Sequence, residues 1–292
     1  MTSKNSLSTL LTTKSNALSN KPGQQASAAA ASVARGASFF LNSVARMSYL
    51  DARRLAQIAE KSSEFLNRKP YPWAGYQGVL HDDGFQRLCA EMPRADLFAA
   101  EFGKVRGYGQ EAHNRYALQY RPKLDAELSQ PWREFIEELH AAPYEAFLRK
   151  VYGLGPQERI ALSMHWHHAA SGGSVSPHTD ASRKVGSHIF YLNTPDDWDP
   201  AWGGQTVVLD DEGRLKAHAA PSFDSLRQVA ASEILGNQSF MFKRTEHSWH
   251  AVRPITCPPD HLRKVFIVVV NRVNFQVLWR RLRGKDPDGY PL

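Results

Sequence analysis

Two His-x-Asp sequences in this 292-residue chain could supply metal ligands, because residues i and i+2 of a β-strand point to the same face. One is His81-Asp82-Asp83, and the other is His178-Thr179-Asp180. The chain contains 12 histidines, so a tripeptide of this kind also arises by chance. The surrounding sequence must therefore distinguish a metal site from a coincidence.

The first of these sequences is better explained by helix formation. Asp82 and Asp83 come directly before a helical pattern over 84–91. An aspartate in this position accepts hydrogen bonds from the free N–H groups of the first helical turn. We therefore interpret these two aspartates as helix-capping residues and not as metal ligands.

The second sequence has a partner further along the chain. In the segment 237–255 a β-rich run turns and leads into a new strand that carries His247 and His250. Two histidines and one carboxylate from non-adjacent strands would form a facial triad, which leaves open positions on the metal and is typical of non-haem Fe(II) oxygenases. The same donors could also bind zinc in a hydrolytic enzyme.

The elements that must position these ligands follow from the hydrophobic pattern. Helical spacing predicts helices over 39–66 and 131–152, the second interrupted near Pro143 and closed by Gly153. Beyond residue 155 the pattern changes to short β-rich runs separated by Gly, Pro and Asp. These runs cover 160–168, 185–193, 205–209, 238–242, 247–252 and 265–270. We predict an α+β fold, with a double-stranded β-helix (jelly-roll) core and N-terminal supporting helices.

Composition suggests four parts of the chain. Residues 1–37 are rich in Ser, Ala, Asn and Gln and are predicted to be a disordered tail. Residues 38–155 are predicted to be a helical support region, residues 156–275 the jelly-roll core, and residues 276–292 a basic C-terminal tail.

Charge and apolar content limit the partners that we expect. The net charge is +7, but the excess of basic residues lies at the two ends, and acidic and basic residues balance between 51 and 279. We therefore expect no nucleic-acid partner. No apolar run reaches the ~20 residues of a membrane helix, so we expect no membrane partner either.

The remaining indications concern the compartment. Cys89 and Cys257 form no Cys-x-x-Cys motif, which is typical of a reducing compartment. We expect a cytoplasmic protein. The basic, acid-free and Ser-rich N-terminus makes an organellar location the alternative.

Five motifs in the C-terminal half resemble, in sequence order, those of the Fe(II)/2-oxoglutarate-dependent dioxygenases, particularly the prolyl-hydroxylase-like branch. They are "PHTD" (177–180), "HIFYLN" (188–193), "DWDPAWGGQTVVL" (197–209), "SWHAVRPI" (248–255) and "RKVFIVVV" (263–270). The resemblance extends over 160–272, whereas the N-terminal half matches the family only loosely.

The resemblance implies a set of site residues. His178, Asp180 and His250 would bind Fe(II). His247 competes for the third position, but the family's His-x-Val-x-Pro pattern falls on His250-Ala-Val252-Arg-Pro254, which favours His250.

The resemblance also implies a basic residue that holds the far carboxylate of 2-oxoglutarate. Arg263, at the start of the last strand, is the preferred candidate, because arginine meets a carboxylate with two parallel hydrogen bonds. It lies further from His250 than the family's anchor usually does, so Lys264 is the alternative. Both faces of this strand are apolar, and periodicity does not choose between them. Tyr191 matches a tyrosine that helps to hold the same carboxylate.

The chemistry implied is hydroxylation of an unactivated C–H bond with Fe(II), 2-oxoglutarate and O₂, releasing succinate and CO₂, with ascorbate as an optional stimulant. Family halogenases carry Gly or Ala in place of Asp180, so the aspartate favours hydroxylation. The expected substrate is a small molecule or peptide with an amino-acid-like target. A zinc-type hydrolase and a non-catalytic metal-binding protein are the alternatives, and neither the substrate nor the oligomeric state has a sequence motif here.

Two further groups have less specific interpretations. His165, His167 and His168 could form a second His-x-His metal site, but we interpret them as strand-edge histidines near a cavity mouth. Arg183 and Lys184 follow the His-x-Asp sequence and could meet an anionic substrate. We interpret them as solvated loop charges.

Overall fold

Two antiparallel β-sheets and five α-helices make up the part of the chain that the computed structural model describes, which comprises residues 47–103, 110–111, 113–217, 219–273, 275 and 279. The helices are α1 (Ala52–Glu60), α2 (Ser62–Asn67), α3 (Asp82–Ala90), α4 (Gln130–His140) and α5 (Ala142–Tyr152). The strands are β1 (Trp73–Gln77), β2 (Ala99–Glu101), β3 (Arg115–Gln119), β4 (Ile160–Ala169), β5 (Val175–His178), β6 (Lys184–Tyr191), β7 (Thr206–Asp210), β8 (Arg227–Ala231), β9 (Gln238–Lys243), β10 (His250–Val252) and β11 (Arg263–Arg272).

The larger sheet has seven strands in the order β1-β9-β6-β11-β4-β3-β2, and the smaller has four in the order β5-β10-β7-β8. The order is not sequential, so the chain crosses repeatedly between the two sheets. This arrangement is that of the predicted jelly-roll core. Each of the six predicted strand segments overlaps an observed strand.

One face of the larger sheet packs against the helices. β11 lies in the middle of this sheet, and its even-numbered side chains from Phe266 to Val270 enter a large apolar cluster together with α4 and α5. Aromatic rings form much of the contact, with the Trp132 and Trp166 centroids 5.0 Å apart and those of Phe135 and Phe190 5.5 Å apart. Burying rings of this size accounts for much of the helix–sheet attachment.

The opposite face of the larger sheet contributes to a second apolar cluster that also includes Val208 of the smaller sheet. Tyr191, Phe240, Phe242 and Val265 supply this cluster from three strands of the larger sheet. The odd-numbered residues of β11 therefore face the interior between the sheets, and its even-numbered residues face the helices.

The support region predicted over 38–155 is not helical throughout. It contains α1 to α5 but also β1, β2 and β3, and all three strands belong to the seven-stranded sheet. The described residues from 47 onward belong to one compact unit. The predicted tail over 1–37 lies outside the described residues, and so does nearly all of 276–292.

The start of α1 and the end of α5 follow local capping, whereas the N-cap of α3 is His81 and the predicted caps, Asp82 and Asp83, lie in its first turn. Asp51 accepts hydrogen bonds from the backbone N–H groups of Arg53 and Arg54 and caps α1. Pro143 lies in the first turn of α5, and Gly153 ends that helix in the left-handed conformation with φ +61°, as predicted. Among the described residues, no helix has the length and apolar character that a bilayer crossing requires.

Candidate active site

Two of the three predicted metal ligands lie side by side on neighbouring strands of the smaller sheet. β5 and β10 are antiparallel, and His178 is directly opposite His250 in their register. Their ring centroids are 4.3 Å apart. Sequence positions 72 residues apart are thus brought together by one strand pair, which the linear pattern alone could not establish.

The third predicted ligand joins them from a loop. Asp180 lies two residues beyond the end of β5, so it shares a site with His178 but is not on the same strand. Each of these residues offers a ligand atom within 4.8 Å of the others, and this is the cluster with metal-site geometry found among the described residues. The side chain of Asp180 is buried, as is that of His250.

Hydrogen bonds to the backbone orient both imidazole rings. The Nδ1 atom of His178 is 2.9 Å from the carbonyl oxygen of Ser176, and Nδ1 of His250 is 3.0 Å from that of Ser248. A carbonyl oxygen only accepts, so Nδ1 carries the proton and donates it, which leaves the Nε2 lone pair for a metal. This arrangement is typical of histidine ligands.

The protonation states also suit metal binding. Burial lowers the pKa of His178 to about 3, with a further contribution from His250, and burial likewise lowers the pKa of His250. Burial opposes ionisation of Asp180, but Lys184 and the two histidines together hold its pKa below the ordinary value. Near neutral pH the site therefore offers two neutral imidazoles and one carboxylate.

Lys184 has a role in this site that the sequence analysis missed. It is the first residue of β6, and its Nζ donates a 2.7 Å hydrogen bond to Oδ1 of Asp180. It is therefore not a solvated loop charge, and it fixes the orientation of the aspartate. A spacing of four residues predicts a side-chain contact only in a helix, so the sequence does not indicate the contact between Asp180 and Lys184.

His247 lies apart from this cluster. Its Nδ1 is 2.9 Å from Oδ2 of Asp211, and 42% of its side-chain surface is exposed. The buried cluster contains His250 instead. The geometry thus agrees with the preference for His250.

Arg263 and Lys264 point in opposite directions from β11. Arg263 is buried, donates from Nε to the carbonyl oxygen of Gly204, and stacks over the Tyr191 ring at 5.6 Å. Lys264 bonds to Asp197 on the other side of the sheet. Within the described part of the chain, no carboxylate lies at ion-pair distance from Arg263, so a buried guanidinium faces the interior without a counterion.

Polar groups surround the ring of Tyr191. Its hydroxyl lies 2.8 Å from Oγ1 of Thr206 and 2.6 Å from Oγ of Ser232. Together with Arg263, these hydroxyls form a polar, cationic corner in the apolar interior. Such a corner fits a carboxylate.

The histidines of β4 are not at a strand edge. β4 lies between β11 and β3, with His167 opposite Val265 and His165 opposite Ile267. They therefore share the interior face. His168 points to the helical side, where its ring stacks on Phe98 at 4.3 Å.

Comparison with known proteins identifies the core. Residues 164–270 match the model of the 2OG-Fe(II) oxygenase superfamily. This segment belongs to that superfamily. Membership of this segment in the superfamily implies an Fe(II)- and 2-oxoglutarate-dependent dioxygenase core, with iron, 2-oxoglutarate and O₂ as its cofactors and cosubstrates.

Solved structures of this superfamily have the same fold. A prolyl-4-hydroxylase of Pseudomonas putida is 16% identical with a TM-score of 0.51, and the match covers 75% of this chain and all of that one. A prolyl hydroxylase of Trichoplax adhaerens, solved with a hypoxia inducible factor peptide fragment, is 12% identical with a TM-score of 0.52, over 74% of this chain and 91% of that one. No curated protein sequence matches the chain.

The residues present fit the family's iron and 2-oxoglutarate. Two imidazoles with free Nε2 atoms and one carboxylate are donors that Fe(II) accepts. The buried guanidinium of Arg263 suits a dicarboxylate, because one carboxylate can lie at the metal while the other meets the arginine.

Proposed function

We propose that this dioxygenase hydroxylates an unactivated C–H bond of an amino-acid-like or peptidyl substrate, and that it releases succinate and CO₂. The observation that carries the proposal is the pairing of a largely buried His-Asp-His cluster with a buried arginine that has no carboxylate at ion-pair distance among the described residues. Hydrolysis would need the first of these features but not the second.

In this proposal, His178, Asp180 and His250 hold the iron. When bound, iron, 2-oxoglutarate and O₂ supply the oxidising chemistry. The backbone carbonyl oxygens of Ser176 and Ser248 accept hydrogen bonds from the two Nδ1–H groups and keep both rings in the ligand orientation. Lys184 occupies one oxygen of Asp180 and leaves the other for the metal.

Arg263 and Tyr191 hold the far carboxylate of 2-oxoglutarate in this proposal. The guanidinium supplies charge and two parallel donors, and the Tyr191 hydroxyl adds a third. Apolar side chains around this corner, including Val265 and Phe242, limit the access of water. Excluding water strengthens the ion pair and protects the reacting centre.

Gly204 offers a direct test of this corner. A Cβ atom on this residue would lie 2.9 Å from Cδ of Arg263, and its φ is +90°. We expect Gly204→Ala to displace the arginine and to weaken 2-oxoglutarate binding roughly tenfold, the loss of about one charge-assisted hydrogen bond. Titration of 2-oxoglutarate into the metal-loaded protein measures this change.

Gly213→Ala is the matched control for backbone strain. Gly213 also has a positive φ, +74°, but a Cβ there would contact nothing within 4 Å. Both variants carry a similar conformational cost. If the two weaken 2-oxoglutarate binding equally, the corner formed by Arg263 is not the cosubstrate site.

Anaerobic addition of Fe(II) and 2-oxoglutarate tests the proposed reaction class. Chelation of 2-oxoglutarate by iron in this ligand set gives a visible charge-transfer band, which neither component gives alone. We expect the band in the wild-type protein, and we expect succinate in proportion to 2-oxoglutarate once O₂ is admitted.

The alternatives predict different results. A zinc-type hydrolase would show no band and would be activated by Zn(II). A non-catalytic metal-binding protein could show metal binding but would release no succinate with any amino acid or peptide. Either result would overturn the proposal. If the charge-transfer band and succinate are observed, screening succinate release across amino acids and peptides, with ascorbate present, would define the substrate.

A further inference from the structure

The mechanism leaves unused two histidines on the interior face of β4. His167 lies opposite Val265, and His165 lies opposite Ile267. Arg263 is opposite Ala169 on the same face, so the histidines continue from the cosubstrate corner along β4. Both keep some solvent-accessible surface, unlike Trp166 between them. They therefore line space that a ligand can reach.

The ion pair of Arg115 and Glu101 determines which nitrogen of His167 carries the proton. Nη1 of Arg115 lies 3.4 Å from Nδ1 of His167. Arginine only donates, so Nδ1 accepts and the proton of the neutral ring is on Nε2. Glu101 holds Arg115 in this position through a 3.0 Å contact from Nη2 to Oε2.

Both rings are neutral near pH 7. Burial, together with the neighbouring cations Lys184 and Arg115, lowers the pKa of His165 to about 3. Burial also lowers the pKa of His167 well below its ordinary value, with Arg115 as the next contribution. His167 is therefore a fixed hydrogen-bond donor and not a cation.

His165 and His167 form a wall of the interior, and the electrostatic environment of this wall is positive. Lys184, Arg115 and Arg121 lower the pKa of His165 and Glu101 raises it, but Lys184 is paired with Asp180 and Arg115 with Glu101. A bound dicarboxylate balances a divalent metal in charge, so the positive charge of Arg263, which also lowers the pKa of His167, remains when the site is loaded. The wall thus favours a negatively charged group.

The wall adjoins the candidate iron site. β3 begins at Arg115, and His113 lies two residues before it. The ring centroid of His113 is 5.0 Å from that of His178. Lys184 also lies between the wall and the candidate iron site, because it bonds to Asp180 and lowers the pKa of His165. A molecule held against the wall is therefore close to the metal.

We propose that His167, oriented by the Glu101–Arg115 pair, donates its Nε2–H to a carboxylate of the primary substrate, which selects for acidic substrates. The inference deepens the proposed function and rests on it, because the carboxylate must lie beside the iron. Arg115 acts through His167 and is a positioning residue. The substrate class is then an amino acid, or a peptide, with a carboxylate near the carbon that is oxidised.

Nitrogen NMR of the protein with ¹⁵N-labelled histidine tests the tautomer. The metal site is loaded with Zn(II) and 2-oxoglutarate, which keeps the protein diamagnetic and the cosubstrate corner filled. The signals of His167 are assigned by their loss in His167→Gln. We expect the Nε2–H pattern at neutral pH, and an Nδ1–H pattern would overturn the inference.

Acetate and acetamide then serve as probes of the same size with and without charge. We expect acetate, but not acetamide, to shift the His167 signals saturably, and Arg115→Gln to weaken the response to acetate roughly tenfold or more. Arg94→Gln, which removes an exposed arginine paired with Asp96 and Glu127, should respond like the wild type.

Other outcomes contradict the inference. Equal responses to both probes, no response of His167, or an unchanged response in Arg115→Gln would each exclude a carboxylate subsite at this wall. Acetate bound at zinc would shift His178 and His250 instead. Failure of the proposed function is recognised separately, since it removes the charge-transfer band of the Fe(II) and 2-oxoglutarate complex in the wild type.

Discussion

Replacing His250 with alanine should abolish succinate formation and lower the affinity for Fe(II) by more than about 100-fold. Changing only an outer hydrogen-bond partner of a metal-bound histidine costs about 10–100-fold, so loss of the ligand itself must cost more. Metal titration of the apoprotein and a succinate assay measure the two effects.

The structure shows how His250 is held in the site. Its ring is held between His178 and Phe242, each with a ring centroid 4.3 Å away, and its Nδ1 is bonded to Ser248. Removing it leaves two ligands, His178 and Asp180. Lys184 already bonds to Oδ1 of Asp180, so one imidazole and one carboxylate oxygen would remain for the metal.

His247→Ala is the control that the chain itself offers. His247 is three residues away and contacts Asp211, so its loss should change stability modestly and leave Fe(II) affinity near the wild-type value. The opposite ranking of the two variants would mean that the third ligand is His247. In that case the proposed site would be wrong.

The jelly-roll and the cluster of His178, Asp180 and His250 were predictable from sequence for a specific reason. The strands of the core are rich in β-branched and aromatic residues, and β11 with Val265–Val270 is the strongest case. His178 lies at the end of β5, and His250 lies at the start of β10. Motif order therefore carried enough information to select His178 and His250.

The strands β1, β2, β3, β5 and β8 were not among the six predicted strand segments. β1 has the sequence Trp-Ala-Gly-Tyr-Gln and β2 only Ala-Ala-Glu, neither of which is typical of a strand. Their conformation depends on pairing with β9 and β3, which are distant in sequence or separated by a loop. Tertiary pairing overrides local propensity in such segments.

The choice between Arg263 and Lys264 also needed the fold. β11 lies in the middle of the larger sheet. One face of this strand packs against the helices, and the other faces the interior between the two sheets. A strand buried on both faces has no polar side in its sequence. Only the contacts with Gly204 and Asp197 reveal which residue faces the interior.

Replacing Arg263 with methionine should raise the half-saturating concentration of 2-oxoglutarate by roughly 30-fold or more. Truncating one partner of a buried, hydrogen-bonded charge pair costs about 2–5 kcal/mol, and each 1.4 kcal/mol is tenfold in affinity. Methionine keeps much of the volume, so the core around Tyr191 should stay packed. Affinity is measured by the charge-transfer band under anaerobic conditions.

Lys264→Met is the matched control, because it removes a cation from the adjacent residue of the same strand. It breaks the bond to Asp197 on the outer side of the sheet, where 24% of the lysine side chain is exposed. We expect a small loss of stability and almost no change in 2-oxoglutarate affinity.

Thermal unfolding of both variants separates misfolding from a binding defect. If Arg263→Met unfolds at nearly the wild-type temperature and still binds 2-oxoglutarate normally, the arginine is not the anchor of the cosubstrate. A defect confined to Lys264→Met would transfer the anchor to the lysine and reverse the assignment of the interior face. A defect confined to Arg263→Met, with Fe(II) affinity retained, is expected because the guanidinium lies in the polar corner with Tyr191 and not at the metal ligands.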